Sequence, residues 1–278
     1  MNILITGANG MLGRDLTARL AADHEVHPYP SSALDITDPV AVQREVLRTA
    51  PDLIINCAAY TDVDGCETER DKARQVNAEG PEHLAKAADG AGAALLHVST
   101  DYVFDGTSRT PYGESDPTGP VTEYGRSKLA GEEAVRRHCP RHYIVRTAWL
   151  YGEHGNNFVA TMLRLAQSNP SLTVVDDQVG NPTWTKDLAD AIGRLIETSA
   201  WGTYHATNAG EVSWCGFARE IFRLRGIATQ VTPVTTAEFP RPAPRPAYSA
   251  LGRKGLAALG IRMRPWQEAL AAFLRENP

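Results

Sequence analysis

The 278-residue sequence lacks the features that mark several large classes of protein. Its four cysteines form no C-x-x-C pair, so neither a disulfide framework nor a Cys/His zinc site is predicted. No apolar run approaches the roughly 20 residues that a membrane-spanning helix needs. The formal charge of −5 gives no basic surface for nucleic acid. The chain also opens on a predicted strand, so we expect a cytoplasmic protein without a membrane or nucleic-acid partner.

Lysine is scarce as well, with five in the chain, and one lysine follows a tyrosine at a spacing of four residues. Tyr124 and Lys128 would share one face of a helix. A phenol beside an ammonium can form a proton donor with its own activator. The alternative is an ordinary exposed pair on an amphipathic helix.

The first residues predict a strand, a tight turn and the start of a helix. Residues 2–6 are mostly apolar, and three glycines follow at a spacing of three. Gly7 permits the turn, Gly10 lets the backbone approach a pyrophosphate, and Gly13 allows close packing of helix on sheet. The N–H groups that open the helix would face the phosphates. The G-x-x-G-x-x-G spacing differs from the G-x-G-x-x-G fingerprint, and a glycine-rich turn without a ligand is the alternative.

Strands and helices alternate along the chain without a repeat. This alternation predicts an α/β fold, a Rossmann-like doubly wound parallel sheet, with a smaller mixed α/β C-terminal region. We expect residues 1–150, with the helix near 185–198, to form the dinucleotide-binding domain and residues 151–278 mainly to bind substrate. The predicted strands are 2–6, 25–29, 52–56, 94–98, 142–147, 172–175 and 202–207, and the predicted helices are 11–22, 40–49, 81–90, 126–138, 185–198, 214–225 and 266–275.

A hydroxyl residue, Thr100, follows the fourth predicted strand. A hydroxyl at the carboxyl end of a strand, beside a nicotinamide, can hydrogen-bond a substrate carbonyl. The alternative is a β-branched residue that only ends the strand. Tyr124 and Lys128 downstream favour the catalytic interpretation.

These motifs together resemble the extended short-chain dehydrogenase/reductase superfamily: TGANGMLG at 6–13, STD at 99–101 and Tyr124-x-x-x-Lys128. Within it, four stretches resemble the dTDP-4-dehydrorhamnose reductase family, and together they span nearly the whole chain. They are CAAYTDVD (57–64), STDYVFDG (99–106), VRTAWLYG (145–152) and RPAYS (245–249). The 4,6-dehydratases of the superfamily carry an Asp-Glu doublet after the threonine. Here Tyr102 follows Asp101, so the acid for water elimination is missing.

The resemblance implies reduction of the 4-keto group of dTDP-6-deoxy-L-lyxo-4-hexulose (dTDP-4-dehydrorhamnose) to dTDP-L-rhamnose. The hydride would come from NAD(P)H and the proton from Tyr124. Because a free tyrosine has a pKa of about 10, the Lys128 ammonium is expected to lower it and to hydrogen-bond the nicotinamide ribose. Thr100 would orient the carbonyl and stabilise charge on its oxygen.

The resemblance also implies a set of cofactor contacts. Asp35 and Ile36 would lie near the adenine, and Asn77 would brace the sheet and the cofactor segment. Alternatives are that Ala58 and Ala59 only permit close packing and that Asp35 is a surface turn residue. The implied cofactor-binding residues are Gly7, Asn9, Gly10, Met11, Leu12, Gly13, Asp35, Ile36, Cys57, Ala58, Ala59, Tyr60, Asn77, Tyr124 and Lys128.

The sequence favours NADPH, with NADH as a substitute. No Asp or Glu ends the second predicted strand, where NAD-specific sites hold a ribose hydroxyl. Arg14, Ser31 and Ser32 are candidates for contact with a 2′-phosphate, although Arg14 also fits an exposed helix position. We expect no catalytic metal, and any Mg²⁺ would have another role.

The substrate site implied by the resemblance draws on both parts of the chain. Arg245 suits a diphosphate because its planar guanidinium offers paired donors. Trp149 either stacks on the ligand or is a core aromatic. The proline-rich segment 239–246 is either a connection or a wall of the cleft. The implied substrate-binding residues are Thr100, Asp101, Val103, Tyr124, Trp149, Asn157, Gln178 and Arg245.

Three further questions stay open at this point. The substrate could be another dTDP-4-keto-6-deoxysugar, from a dihydrostreptose or antibiotic-sugar pathway, because pocket shape decides stereochemistry. The chain could instead be a non-catalytic subunit, since the regulatory β subunit of methionine adenosyltransferase resembles the same family. Thr100, Tyr124 and Lys128 favour the enzyme. A homodimer, with Asp15 and nearby acids at its interface, is also left open.

Overall fold

The computed structural model of the chain describes residues 1–277. All seven predicted strands are present there, and the fourth continues two residues beyond its predicted end, through Thr100. In chain order the strands are β1 (Asn2–Thr6), β2 (Glu25–Tyr29), β3 (Leu53–Asn56), β4 (Ala94–Thr100), β5 (His142–Thr147), β6 (Leu150–Tyr151), β7 (Ser171–Val175), β8 (Val179–Gly180), β9 (Thr183–Trp184), β10 (Gly202–His205), β11 (Val212–Ser213) and β12 (Gln230–Val234).

The predicted helices are also present, with boundaries that shift by at most three residues. A π-helical turn (Gln75–Glu79) joins the fourth and fifth helices without a break. No helix within the described residues has both the length and the apolar character needed to cross a membrane. The helices are α1 (Met11–Leu20), α2 (Pro39–Thr49), α3 (Val63–Thr68), α4 (Arg70–Arg74), α5 (Gly80–Ala91), α6 (Glu123–His138), α7 (Phe158–Ala166), α8 (Thr185–Ile196), α9 (Trp214–Arg225), α10 (Lys254–Ala258) and α11 (Trp266–Glu276).

The central sheet has six strands in the order β10-β5-β4-β3-β1-β2, and every neighbouring pair is parallel. The strand order reverses between β1 and β3. In doubly wound sheets, ligands bind in the crevice that such a reversal opens at the carboxyl ends of the strands. The fold class predicted from the sequence is therefore confirmed.

Helices cover both faces of the sheet. On one face, Leu16 and Leu20 of α1 pack in one core with Leu188 and Ile192 of α8. On the other face, α2 and α5 form a second core. The helix near 185–198 therefore packs with the first domain, as predicted. Asp15 lies on α1 with 9% of its surface exposed, and its role in a dimer interface stays a prediction.

The predicted division at residue 150 does not follow the sheet. Strand β10, which we placed in the substrate-binding region, pairs with β5 as the sixth strand. The nearby sequence shows that β10 follows α8. It does not show that β10 pairs with β5, which lies some sixty residues earlier in the chain. Helices α7, α9 and α11 form a separate aromatic core, in which Tyr151 meets Phe273 edge to face.

Side-chain caps set where two helices begin. The Asp38 carboxylate accepts from Val40 N and Ala41 N, with Pro39 in the first turn of α2. The Thr122 hydroxyl accepts from Gly125 N at 2.9 Å, so α6 begins three residues before its predicted start. This earlier start places the Tyr124 of the tyrosine–lysine pair inside the helix.

Candidate active site

A cavity of about 560 Å³ lies where the strand order reverses, at the carboxyl edge of the sheet. It joins the glycine turn before α1 to the end of β4 and to the first turns of α6. Residues far apart in sequence thus meet in one space. The cavity is lined by Gly10, Met11, Leu12, Gly13, Cys57, Ala59, Thr61, Val63, Val98, Ser99, Thr100, Asp101, Tyr102, Tyr124, Lys128, Thr147, Ala148, Trp149, Leu150, Gly155, Asn156 and Trp214.

The glycine turn has no room for side chains at two of its three glycines. Gly7 has φ +66°, and a Cβ there would lie 2.6 Å from Ala58 N. A Cβ on Gly13 would overlap the Gly7 carbonyl oxygen and lie 2.8 Å from the Ala8 Cα. Gly10 is exposed and caps α1 without a side-chain hydrogen bond. The first N–H groups of α1 are therefore open towards the cavity, as a phosphate site requires.

Lys128 is buried, with 2% of its surface exposed, and its ammonium group has no carboxylate partner among the described residues. Its Nζ donates to the Val98 carbonyl oxygen at 2.7 Å. Burial lowers the pKa of Lys128 to about 8, against the opposing charge of Glu132. An amine with this pKa exchanges its proton close to neutral pH.

The pKa of Tyr124 shifts in the opposite direction to the one we expected. Burial raises the pKa of this phenol above its ordinary value. The pKa of Tyr124 is therefore not lowered overall in this structure, and the activating role of Lys128 stays a prediction. The cost of burying a phenolate dominates, and the Lys128 ammonium is directed at Val98 instead.

Thr100 and Asp101 form a hydrogen-bonded pair at the end of β4. The Thr100 Oγ1 donates to Asp101 Oδ1 at 2.9 Å and accepts from Tyr102 N at 3.2 Å. Asp101 is 2% exposed, and burial raises its carboxyl pKa to about 6, although the Ser249 and Thr100 hydroxyls oppose the rise. The ring of Tyr102 lies edge-on to Tyr124, with centroids 5.5 Å apart.

Asn77 braces the loop after β3 against α6. Its Oδ1 accepts from Tyr60 N at 2.8 Å, and its Nδ2 donates to Tyr60 O at 2.9 Å and to Ser127 Oγ at 3.1 Å. The residue lies in the π-helical turn, a distortion that is frequent at functional sites.

Cys57, in the loop after β3, is not a nucleophile at neutral pH, because burial raises the pKa of its thiol to about 12.

Several predicted cofactor contacts lie outside the cavity lining, and their cofactor roles stay predictions. Asp35 is exposed, and its Oδ1 accepts from the Thr37 N–H and hydroxyl, which is the turn role named as its alternative. Ile36 is buried against Gly80. The predicted cofactor residues that do not line the cavity are Gly7, Asn9, Asp35, Ile36, Ala58, Tyr60 and Asn77.

Four predicted substrate residues line the cavity, namely Thr100, Asp101, Tyr124 and Trp149, and four do not. Val103 is fully buried in a small core. Asn157 caps α7, and its amide also donates to Gly152 O at 2.9 Å, so both ends of the side chain are occupied. Gln178 donates to Thr236 Oγ1 at 2.9 Å. Substrate contact by these residues stays a prediction.

Arg245 is held by an acid of the first domain. Its guanidinium donates to Asp64 Oδ1 at 2.9 Å and to the Ala243 carbonyl, and Ala243 N donates to the same carboxylate oxygen. Asp64 thus ties the proline-rich segment 239–246 to α3. No residue of that segment lines the cavity, so its position agrees with the connecting interpretation.

Trp214 is a cavity residue that sequence reasoning missed. Its ring stacks on Trp149, with centroids 3.5 Å apart and planes 5° from parallel. Trp149 has φ +49°, a backbone conformation that is unusual for a bulky residue. Thr147, the last residue of a predicted strand, was also missed, as were Ala148 and Leu150 shortly after it. Nothing local marks Trp214, which opens α9 far along the chain.

Comparison with known proteins agrees with this geometry. A family model described as RmlD substrate binding domain matches residues 1–277. The dTDP-4-dehydrorhamnose reductase of Streptomyces griseus is 49% identical over 276 residues, covering 96% of this chain and 91% of that one. A probable dTDP-4,6-dihydroxy-2-methyloxan-3-one 4-ketoreductase of Streptomyces antibioticus is 47% identical over 277 residues, covering 97% and 93%.

A crystal structure shows the same similarity in three dimensions. The dTDP-4-dehydrorhamnose reductase of Bacillus anthracis, solved in complex with NADP, superposes with a TM-score of 0.97 at 44% identity. The match covers 99% of this chain and 98% of that one. This chain therefore belongs to the dTDP-4-dehydrorhamnose reductase family of the extended short-chain dehydrogenase/reductase superfamily.

Proposed function

We propose that this protein reduces the 4-keto group of dTDP-6-deoxy-L-lyxo-4-hexulose to give dTDP-L-rhamnose, with NADPH as the reductant. The observation that carries the proposal is the single cavity that joins the open start of α1 to Thr100, Tyr124 and Lys128. A dinucleotide site and a proton donor must share one space for a ketone to be reduced. The names of the similar reductases support the choice of substrate.

The residues present fit a dinucleotide. Gly10 leaves its helix start exposed, and Met11, Leu12 and Gly13 line the same cavity. Strand β2 ends at Tyr29 without an acid, and the exposed residues 31 and 32 that follow are serines, which favours NADPH over NADH. When bound, the nicotinamide supplies the hydride that reaches the keto carbon. The 2′-phosphate contacts by Arg14, Ser31 and Ser32 remain part of the proposal.

The chain supplies the proton and the electrostatic support. Because the pKa of Tyr124 is raised, its phenol is fully protonated at neutral pH and can donate to the oxygen of the reduced carbonyl. The Lys128 ammonium favours the phenolate that this transfer leaves behind. Thr100 would hydrogen-bond the same substrate oxygen as its negative charge develops.

A second substrate has support of its own. The Streptomyces antibioticus relative carries the name of a 4-ketoreductase acting on a different dTDP sugar, at an identity close to that of the rhamnose-pathway reductase. Family membership therefore limits the substrate class to dTDP-4-keto sugars more firmly than it selects one sugar. The non-catalytic alternative has less support, since the proton donor, the lysine and the hydroxyl all face one cavity.

The experiment is a coupled assay with dTDP-4-keto-6-deoxyglucose, the 3,5-epimerase and NADPH, followed at 340 nm with identification of the sugar formed. We expect NADPH oxidation that depends on the epimerase and yields dTDP-L-rhamnose. Oxidation without the epimerase would select the second substrate class. No oxidation by folded protein that binds NADPH would favour the regulatory subunit.

Tyr124→Phe tests the proton donor within this assay. We expect kcat to fall by roughly 100- to 10,000-fold, since general acid catalysis contributes about that much, with the Kd of NADPH little changed. Tyr204→Phe is the matched control, because Tyr204 lies on the edge strand β10, outside the cavity lining, and its hydroxyl donates to the Ala200 carbonyl. Equal kcat in both variants would remove Tyr124 from the mechanism.

A cytoplasmic location and a homodimer complete the proposal. The four thiols are unpaired, as is usual in a reducing compartment. The homodimer is suggested by the family resemblance. Cell fractionation checks the first, and light scattering after size-exclusion chromatography checks the second.

A further inference from the structure

A line of buried polar side chains crosses the sheet beneath the cavity. It begins at Thr6 on β1 and passes through Asn56 on β3 and His97 on β4 to Lys128 on α6. None of the four side chains is more than 2% exposed. In such surroundings each donor needs an acceptor, so the positions of the hydrogens along the line can be worked out.

The orientation of the Asn56 amide is set by a backbone donor. Ala58 N lies 3.0 Å from the Asn56 Oδ1, and a backbone N–H can only donate. The Thr6 hydroxyl lies 2.7 Å from the same oxygen. The oxygen must therefore face Ala58, which leaves the Asn56 NH₂ group facing the His97 Nδ1 at 3.0 Å.

This amide determines the tautomer of His97. Because Nδ1 accepts from Asn56, it carries no hydrogen, and the neutral ring holds its proton on Nε2. Burial and the nearby Lys128 lower the pKa of His97 well below its ordinary value, so the ring stays neutral. The Nε2–H therefore points at the Lys128 Nζ, 3.4 Å away.

The two protonation states of Lys128 differ in whether they can accept a hydrogen bond from this N–H. An ammonium group can only donate, so the Lys128 ammonium and the His97 N–H would be two donors facing each other. A neutral amine has a lone pair, so it can accept from His97 while it still donates to the Val98 carbonyl at 2.7 Å. The hydrogen bond between His97 and Lys128 exists only when the lysine has released a proton.

We propose that His97, held as its Nε2–H tautomer by Asn56, is a positioning residue that favours the neutral amine of Lys128 and so makes the proton of this lysine easy to release. The inference rests on the proposed function only for its kinetic consequence. A charged lysine is needed beside Tyr124 for proton donation. The fall of reductase activity at high pH, the alkaline limb of the pH–activity profile, therefore reports the loss of the proton from Lys128.

The other charged and titratable groups around the pair do not reproduce this effect. Glu132, one helical turn after Lys128, favours the ammonium, but Arg146 and Arg136 already hold its carboxylate at 2.7 Å. Cys57, after β3, also favours the ammonium in its thiolate form, which its raised pKa excludes at neutral pH. Arg136 adds positive charge near His97 and helps to keep the ring neutral.

The first test is spectroscopic and needs neither substrate nor cofactor. The chain has eight histidines, so ¹⁵N-histidine spectra can resolve His97, assigned by its loss in His97→Phe. We expect a neutral ring with its proton on Nε2, unchanged between pH 5.5 and pH 9. A proton on Nδ1, or a charged ring near pH 6, would overturn the proposal.

The second test follows Lys128, which is one of only five lysines, by ¹³Cε-lysine spectra against pH. We expect a midpoint near pH 8 in the unchanged protein, and a rise of roughly 0.4 to 1 pH unit in His97→Phe, the equivalent of one ordinary hydrogen bond. His142→Gln is the control, because His142 bonds the Cys139 carbonyl at the start of β5. A Lys128 midpoint unchanged in folded His97→Phe would overturn the proposal.

Asn56→Asp gives a second route to the same answer. The introduced carboxylate accepts from Nδ1–H, so the proton of the His97 ring should move from Nε2 to Nδ1. Nε2 then becomes an acceptor for the Lys128 ammonium, and the Lys128 midpoint should rise. A folded variant with His97 still protonated on Nε2 would contradict the argument. In reductase assays the alkaline limb should move with the Lys128 midpoint. If no substrate is reduced, the proposed function fails while both spectroscopic tests still decide the role of His97.

Discussion

The Thr100 hydroxyl donates its one proton to the Asp101 carboxylate, 2.9 Å away, inside the cavity where the proposed function assigns that proton to a substrate oxygen. The hydroxyl oxygen is itself held in place by Tyr102 N. A rotation about the C–O bond is therefore enough to redirect the proton, without movement of the backbone. Asp101 thus competes with the substrate for the proton of the Thr100 hydroxyl.

Removal of the Thr100 hydroxyl should slow the reaction far more than it weakens binding. Because a donor aimed at developing charge contributes most in the transition state, Thr100→Val should lower kcat by roughly 100- to 1,000-fold. Thr100→Ser keeps the hydroxyl and should retain most of the activity. Steady-state kinetics with purified variants check this, and equal losses in both would assign Thr100 a packing role.

Asp101 should destabilise the protein at neutral pH. Its pKa is about 6 in the folded chain against 3.8 ordinarily, so protonation favours folding, and that stabilisation is lost as the pH rises through 6. Asp101→Asn should therefore raise the free energy of unfolding, and this increase should be larger at pH 7.5 than at pH 4 by up to about 3 kcal/mol. Urea titrations at the two pH values measure the difference, and a gain that does not depend on pH would contradict the explanation.

The pH dependence of stability should have the opposite sign at Asp105, which therefore gives a control within the same stretch of chain. Hydrogen bonds from Tyr112 and Thr107 lower the pKa of Asp105. Asp105→Asn should therefore lose stability at pH 7.5, and the loss should diminish as the pH falls below the ordinary carboxyl range.

Trp214 should act on sugar-nucleotide binding, although it lies outside the motifs of the dinucleotide site. It supplies the surface on which Trp149 stacks at the cavity wall. Because aromatic pairs contribute about 0.5–1.5 kcal/mol, Trp214→Leu should raise the KM for the dTDP sugar by roughly 2- to 10-fold. The Kd of NADPH should stay the same. Trp201→Leu, at a tryptophan that packs on Tyr143 outside the cavity lining, should change neither constant.

Gly13 should tolerate no side chain. The Cβ of Gly13→Ala would overlap the Gly7 carbonyl, so the turn must open, and we expect a loss of about 1–3 kcal/mol in stability together with weaker NADPH binding. Gly90→Ala is the matched helical control. It lies near the end of α5 with no atom within 4 Å of its added Cβ, and it should gain about 0.5–1 kcal/mol. Urea unfolding and NADPH fluorescence titration check both variants.

Much of the fold could be predicted because its signals are local. The apolar strand before Gly7 and the glycine spacing are visible within a short window of sequence. Boundaries were less certain, because α6 begins at a cap, Thr122, whose hydrogen bond to Gly125 is a feature of the folded chain. The place of β10 in the sheet could not be predicted, since its partner β5 is distant in sequence.

In the candidate site, too, the features that could be predicted are local in sequence and those that could not depend on distant residues. Thr100, Tyr124 and Lys128 were identified from residue type and spacing, and the structure brings them to one cavity. Asn157, Gln178 and Arg245 were assigned by resemblance, and their side chains bond to Gly152, Thr236 and Asp64, so their contact with substrate stays a prediction. Residue type alone does not tell which partner a polar side chain will find.

The parallel α/β architecture, the dinucleotide turn and the tyrosine–lysine pair follow from the amino-acid sequence, because hydrophobic periodicity, glycine conformation and i,i+4 spacing act within a few residues. The charge states of these groups and the residues that surround them depend on the folded chain. Burial raised the pKa of Tyr124 when the motif suggested the reverse, and Asn56 placed a His97 proton against Lys128. Desolvation and hydrogen-bond direction depend on neighbours brought from distant parts of the chain, and those neighbours are defined only once it has folded.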